Sequence, residues 1–335
     1  MERYARQTVF SHIGIEGQET LLKSKVTIIG MGALGTVAAN SLCRAGVGKI
    51  RMADRDYVEL TNLQRQCLYN EEDVSLGLPK AIAAYNHLSR INSQVFLDPV
   101  VTDVNPSNIE EIIGDADLVL DAGDNFEIRF LINDACDKKK VPWIYCGALG
   151  SAGTTMNILQ KDNEPCLRCH IDDSEASFDQ SCSAFGVLNM ITATMASIQA
   201  AEAIKILLNS DSVRKGLLAI DLWSNSYNTL ALSKNYDCPV CVHKRYEHLG
   251  KTIGSYTTDI CGSNSIQVVP AQPKQIDLDA LAVRLGKTGA VQLSPFYLRF
   301  ADDKYEITLF KDGRAIIKNA IDSNNAKTIY TEYLG

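Results

Sequence analysis

The sequence predicts an α/β fold: a Rossmann-like, doubly wound, mostly parallel sheet with a structural zinc site and a small C-terminal α+β domain. Three observations predict it. Short apolar runs alternate with helical stretches as far as Gly147, a G-x-G-x-x-G turn follows the first run, and two C-x-x-C pairs lie downstream. Repeated β-α alternation is the pattern of a parallel sheet covered by helices on both faces.

The elements follow in order. Val26–Gly30 is a short apolar run ending in glycine, hence a buried strand, and Gly30, Gly32 and Gly35 form the turn into a helix over Thr36–Arg44. A second strand covers Lys49–Ala53 and ends at Asp54, 22 residues after Gly32. The alternation continues with a helix at Lys80–Ile91, a strand at Val95–Pro99, a helix at Asn108–Ile113 and a strand at Leu118–Asp121. A helix at Phe126–Lys138 and a strand at Trp143–Gly147 complete it, and further strands are expected at Thr154–Leu159 and Leu217–Asp221. Val187–Leu208 reads as a long buried helix, because Asn189, Gln199, Glu202 and Lys205 are too polar for a membrane span. Leu249–Gln275, rich in Gly, Ser, Thr, Pro and Gln, reads as a linker or boundary. Beyond it a helix at Asp277–Leu285, paired strands at Phe296–Phe300 and Glu306–Phe310, and a helix at Asn324–Tyr333 make the small domain. The expected division is 1–250 and 251–335.

Composition narrows the function. The 335 residues are 46% hydrophobic and 22% charged, with a net charge of -7. That is ordinary globular composition, and an acidic balance disfavours nucleic acid as a partner. The N-terminus shows no export signal, so a cytoplasmic location is expected. In that setting the paired cysteines among the ten favour metal over disulfides. Cys166 and Cys169, with Cys238 and Cys241 about 70 residues further on, offer four thiolates, a closed tetrahedral shell for Zn²⁺ with no open position for water.

The glycine turn lets backbone N–H groups approach phosphate at a helix N-terminus, and Asp54 is placed to accept ribose hydroxyls. The motif does not itself choose between NAD and ATP. Asn62, Arg65 and Gln66 add a dense polar group, and Lys80 follows soon after. A triphosphate needs such cations. The plainer alternatives are a surface salt bridge for Arg65 and solvated helix decoration for Lys80. Asp124, at the end of a strand where α/β sheets bind ligands, suits Mg²⁺ or else a helix N-cap. Cys182 sits before the long helix, as a nucleophile of lowered pKa or a small buried residue.

Together these pieces resemble the ThiF/MoeB/HesA adenylyltransferases, relatives of the ubiquitin-activating enzymes. The matching stretches are R-Y-A-R-Q at Arg3–Gln7, G-M-G-A-L-G at Gly30–Gly35, A-G-V-G at Ala45–Gly48 and D-R-D at Asp54–Asp56. N-L-Q-R-Q at Asn62–Gln66, L-P-K at Leu78–Lys80, D-N at Asp124–Asn125, both cysteine pairs and Q-A-A-E-A-I-K at Gln199–Lys205 also match. Ala33 departs from the glycine of many members. The resemblance implies ribose binding by Asp54, triphosphate binding by Asn62, Arg65 and Lys80, and Mg²⁺ on Asp124. It further implies that Arg6 reaches the ATP site of the other subunit of a homodimer, and that Cys182 matches a cysteine used by some members for covalent linkage or sulfur transfer.

The implied activity is ATP-dependent adenylation of the C-terminal carboxylate of a small ubiquitin-like sulfur-carrier protein ending in Gly-Gly, with a cysteine desulfurase as a sulfur donor. The tail resembles that of the longer ThiF-like proteins of Gram-positive bacteria, which favours thiazole (thiamine) biosynthesis. Activation of the molybdopterin-synthase carrier and adenylation of a peptide are the alternatives of the same chemistry. An NAD-dependent oxidoreductase and a carrier-binding scaffold without activity are the alternatives of other classes.

Overall fold

The computed structural model describes residues 1–172, 186–251, 256–259, 265–270 and 275–334. The chain divides into two units, Met1–Lys251 and Thr252–Gly335. The first is built on an eight-stranded sheet of order β3-β2-β1-β4-β5-β6-β7-β8. Strands β1 (Lys25–Ile29), β2 (Lys49–Asp54), β3 (Phe96–Val101), β4 (Leu118–Asp121) and β5 (Trp143–Leu149) run parallel. Strands β6 (Ala152–Ile158), β7 (Leu217–Asp221) and β8 (Ser226–Leu230) extend the sheet antiparallel.

Both faces of the parallel half are covered, which is why its strands are apolar runs rather than alternating ones. The first-unit helices are α1 (Ala5–Thr8), α2 (Gly14–Lys23), α3 (Ala33–Ala45), α4 (Glu71–Ser75) and α5 (Lys80–Ile91), then α6 (Ile109–Ile113), α7 (Phe126–Lys139) and α8 (Asn189–Leu207). On one face Ile28, Leu118 and Leu120 pack with Leu42 of α3, Leu88 of α5 and Met195 of α8. Their neighbours Ile29 and Val119 point the other way, into a cluster with Ile113 of α6 and Phe130 of α7. The strand order reverses between β1 and β4. Their carboxyl ends therefore diverge into a crevice, the usual ligand position of such sheets.

The polar residues that argue against a membrane span are put to use in α8. Gln199 is fully buried and its amide donates to the carbonyls of Asp121 (2.8 Å) and Ile144 (3.1 Å). Glu202 accepts from the Asn157 amide at 2.6 Å. No helix among the described residues is long and apolar enough to cross a membrane.

The second unit holds a six-stranded antiparallel sheet of order β11-β12-β13-β14-β10-β9. Its strands are β9 (Tyr256–Asp259), β10 (Ser265–Val269), β11 (Ala290–Leu293), β12 (Tyr297–Ala301), β13 (Glu306–Phe310) and β14 (Ala315–Lys318). Helices Leu278–Leu285 and Ser323–Leu334 supply Leu278, Leu285, Ala326 and Ile329 to a core with Phe300, Leu309 and Ile317. Here the sequence expectation needs correction: β9 and β10 lie within the stretch read as a linker. Ser-Ile-Gln-Val-Val is a strand because Ile266 and Val268 pack into the core and the backbone pairs with β14, Ile266 opposite Ile317. The Gly/Ser/Pro composition around it masks a β-branched run.

Candidate functional site

The glycine turn divides its labour. Gly30 has φ +96°, and a Cβ there would lie 2.4 Å from the Ala122 carbonyl oxygen. A Cβ on Gly35 would lie 2.0 Å from the Gly30 oxygen. These two positions need glycine to pass β4 and to bring α3 against β1. Gly32 differs: the nearest atom to its added Cβ is Gln66 Nε2, 3.8 Å away. The space there is open, at the N-terminus of a helix that no side chain caps. Free N–H groups and the positive end of the dipole suit an anion.

Asp54 ends β2, almost fully buried. One carboxylate oxygen accepts the Met31 N–H (2.6 Å) and the other the Asp56 N–H (2.7 Å). Asp54 thus clamps the glycine turn, and each oxygen keeps a lone pair for a ligand hydroxyl. Burial pushes its pKa up, against the pull of the Lys80 charge.

Lys80 opens α5 and is 8% exposed, which removes the solvated-decoration reading. Its Nζ lies 2.9 Å from Asp56 Oδ2. Burial works against the ammonium, but the Asp56 and Asp54 carboxylates outweigh it and hold its pKa above the ordinary value. Lys80 is therefore a cation kept charged in a nearly dry place. Tyr69, which sequence reasoning missed, ties the two parts together: its hydroxyl donates to the carbonyls of Met31 (2.8 Å) and Lys80 (3.1 Å). Asn62 is buried and its Oδ1 accepts the Glu59 N–H at 3.0 Å. Arg65 is half-buried and donates to the Thr61 carbonyl (3.0 Å) rather than to a carboxylate. Gln66 is buried with an unpaired Oε1.

Asp124 follows β4, on the other lip of the crevice. It is exposed, and it is not the helix cap: Asn125 Oδ1 accepts the Ile128 N–H at 3.0 Å and caps α7. The Asp124 carboxylate accepts from the Asn125 amide at 3.1 Å. Its charge acts on Lys80, Arg55 and Arg129, raising all three, so the two lips share one electrostatic field. Arg129 is a second residue missed in the sequence. It is buried over the rings of Phe126 (4.9 Å) and Tyr145 (5.3 Å), donates to the Gly123 carbonyl at 3.1 Å, and approaches Asp121 to 3.3 Å. Burial pushes Asp121 up to about 6 in spite of that arginine. The pair fixes the loop that carries Asp124. The signal available in the sequence was a charged residue set between Phe126 and Phe130 on a buried helix.

The structure thus brings together the glycine turn, Asp54, Lys80 and Asp124, with Asn62 and Arg65 on the segment between Asp54 and Lys80. Arg6 lies exposed on α1 and bonds to none of these groups. Cys182 lies outside the described residues.

The cysteine pairs meet beside α7, in the cluster that holds Phe130 and Leu131. Cys166 and Cys238 sulfurs are 3.6 Å apart, Cys169 and Cys241 3.5 Å, and all four lie within 4.8 Å of one another. Four sulfurs about 2.3 Å from one ion stand about 3.8 Å apart in a tetrahedron, so the cluster fits Zn²⁺. Cys166 and Cys238 are buried in the same cluster as Leu167, Val240 and Phe130, which makes the site part of a core.

The pattern of the ThiF family matches residues 4–240. The "Sulfur carrier protein ThiS adenylyltransferase" of Bacillus subtilis (strain 168) is 39% identical over 99% of this chain and 99% of its own. The "Molybdopterin-synthase adenylyltransferase" of Escherichia coli (strain K12) is 34% identical over 72% of this chain and 96% of its own. The crystal structure of E. coli MccB with ATP matches with a TM-score of 0.63 at 23% identity, over 72% of this chain and 74% of that one, a likeness of fold. A family pattern spanning most of the first unit and a relative matched from end to end place this chain in the ThiF family.

Proposed function

We propose that the protein adenylates the C-terminal glycine carboxylate of a small ubiquitin-like sulfur-carrier protein, using ATP and releasing pyrophosphate. One observation carries the proposal: the open glycine turn, the clamped Asp54, the charged buried Lys80 and the exposed, non-capping Asp124 converge on the crevice between β1 and β4. The ribose would sit on Asp54 and the phosphates between the α3 N-terminus, Lys80, Arg65 and Asn62. Mg²⁺ held by Asp124 would neutralise charge on the phosphates. The carrier carboxylate is ionised at pH 7 and needs no base. It attacks the α-phosphorus, the bond to the bridging oxygen breaks, and pyrophosphate leaves. Lys80 and Arg65 stabilise the charge that develops, work done by position rather than proton transfer. Arg6 would act on the site of a second copy in a homodimer. A persulfide on a cysteine desulfurase, or on Cys182, would then form a C–S bond to the carrier as AMP departs.

The thiazole carrier is favoured because a relative named for ThiS, that of B. subtilis, is 39% identical over 99% of this chain, whereas the molybdopterin-synthase relative is 34% identical over 72%. The docking face proposed for the carrier is β8, an edge strand among the described residues. Tyr227 and Leu230 lie there, 61% and 51% exposed, and Trp223 on the preceding turn is 80% exposed. Exposed apolar side chains at a sheet edge suit an interaction surface.

The direct test mixes protein, ATP, Mg²⁺ and a ThiS-type carrier and looks for carrier-AMP by intact mass spectrometry. A protein that binds NAD and leaves carrier and ATP unchanged would end the proposal. Lys80→Ala and Arg65→Ala should each cost about 2–4 kcal/mol in ATP–pyrophosphate exchange, the scale of losing one preorganised donor. Near-normal exchange in both would remove them from the phosphate site. Tyr227→Asp should raise the KM for carrier about tenfold and leave ATP affinity unchanged. An unchanged KM would move the docking face elsewhere.

A further inference from the structure

Helix α7 begins beside Asp124, and its later turns hold the four-thiolate cluster. Asn133 is fully buried. Its side-chain N–H donates to Cys166 Sγ at 3.7 Å, and its Oδ1 accepts the Leu167 N–H at 3.1 Å. One side chain thus grips the first thiolate and the backbone of its knuckle. The same helix holds the chain that leaves the second knuckle. Asp134 accepts the His248 N–H at 3.0 Å, while Asp137 accepts from Lys244 Nζ and the Tyr246 hydroxyl, each at 2.9 Å.

We propose that Asn133 is a positioning residue of the thiolate centre, its N–H···S bond holding Cys166 in the geometry that retains Zn²⁺. The inference rests on the zinc reading of the cluster. Cys166 is 2% exposed, so its sulfur is shielded from water. An anionic sulfur in that place needs a donor from the protein, and an amide N–H supplies one without adding charge. The Oδ1 contact fixes the amide's orientation, so the donor aims at the sulfur rather than turning away.

The isosteric variant Asn133→Asp separates this role from a mere bracket for Leu167. It keeps the acceptor, loses the donor, and sets a carboxylate against the thiolate. Zinc loss from purified full-length protein into a chelator, followed with a colour reporter, should be roughly 10–100-fold faster in Asn133→Asp and Asn133→Ala. With Co²⁺ in place of zinc, the thiolate-to-metal charge-transfer band should shift in both variants. Wild-type release and an unmoved band in Asn133→Asp would overturn the inference. If the variants do not fold, wild-type protein loaded with ¹¹³Cd decides it. Coupling between the metal and the Asn133 side-chain amide proton is expected, and its absence overturns the inference. Wild-type protein that holds no zinc would instead defeat the zinc reading itself, and this inference with it. Stoichiometric zinc with an indifferent Asn133→Asp defeats the inference alone.

Discussion

Asp124→Asn is expected to lower ATP–pyrophosphate exchange by about a thousandfold or more while leaving the thermal midpoint unchanged. The argument rests on which residue caps α7. Had Asp124 been the cap, asparagine would serve as well, since both side chains accept the same backbone N–H. Asn125 holds that position, with its Oδ1 3.0 Å from the Ile128 nitrogen. The Asp124 carboxylate is exposed beside the crevice, and its charge reaches Lys80, Arg55 and Arg129. A neutral amide of the same shape preserves the loop and removes the negative charge that Mg²⁺ requires. The loss should exceed that of Lys80→Ala, because a missing metal weakens binding of the phosphates and stabilisation of the transition state together. Exchange within tenfold of wild type in Asp124→Asn would take the metal away from this residue. A loss of stability of about 1 kcal/mol in Asp124→Ala, the cost of a lost cap, would return the residue to a structural role.

Removing the metal from the four thiolates should produce the largest change in stability. Structural zinc contributes about 10–16 kcal/mol to the folding of small zinc-finger peptides. Part of that is already supplied here by packing, because Leu167, Val240 and Phe130 share one buried cluster with Cys166 and Cys238. A contribution of about 5 kcal/mol remains a reasonable scale, and at about 2–4 °C per kcal/mol for a unit of this size the midpoint should fall by roughly 10–20 °C. Cys238→Ser, or dialysis against a strong chelator, should show it by calorimetry, with zinc content measured on the same samples. A zinc-free protein melting with the wild type would mean that the thiols stabilise the knuckles unaided.

Much of the fold is legible without coordinates where the local signal and the tertiary demand agree. Lys80–Ile91 and Leu118–Asp121 are helix and strand with the boundaries the sequence predicts. The first has a helical period after Pro79, and the second is a short apolar run that a parallel sheet buries on both faces. Edge strands are less legible. Ser226–Leu230 has an exposed, mostly polar strand face, and Ala290–Leu293 is short and also at an edge. Neither must bury a face, so neither shows the period that marks a strand. In Ser265–Val269 the flanking composition outweighed a real strand pattern.

The site divides in the same way. Glycines 30, 32 and 35, Asp54, Asn62, Arg65, Lys80, Asp124 and the four cysteines carry spacing or residue chemistry that can be read along the chain. Their supports cannot be read that way. Tyr69 meets Met31, Arg129 meets Gly123 and Asp121, and Asn133 meets Cys166 only after the sheet has closed. Sequence determined the order of elements, the turn and the thiol pairs, because these depend on backbone conformation and near neighbours. Tertiary structure alone decided that Asn125 rather than Asp124 caps α7 and that Lys80 is buried against Asp56 rather than solvated. Such outcomes depend on which distant groups share a low-dielectric space, and the linear chain does not encode that distance.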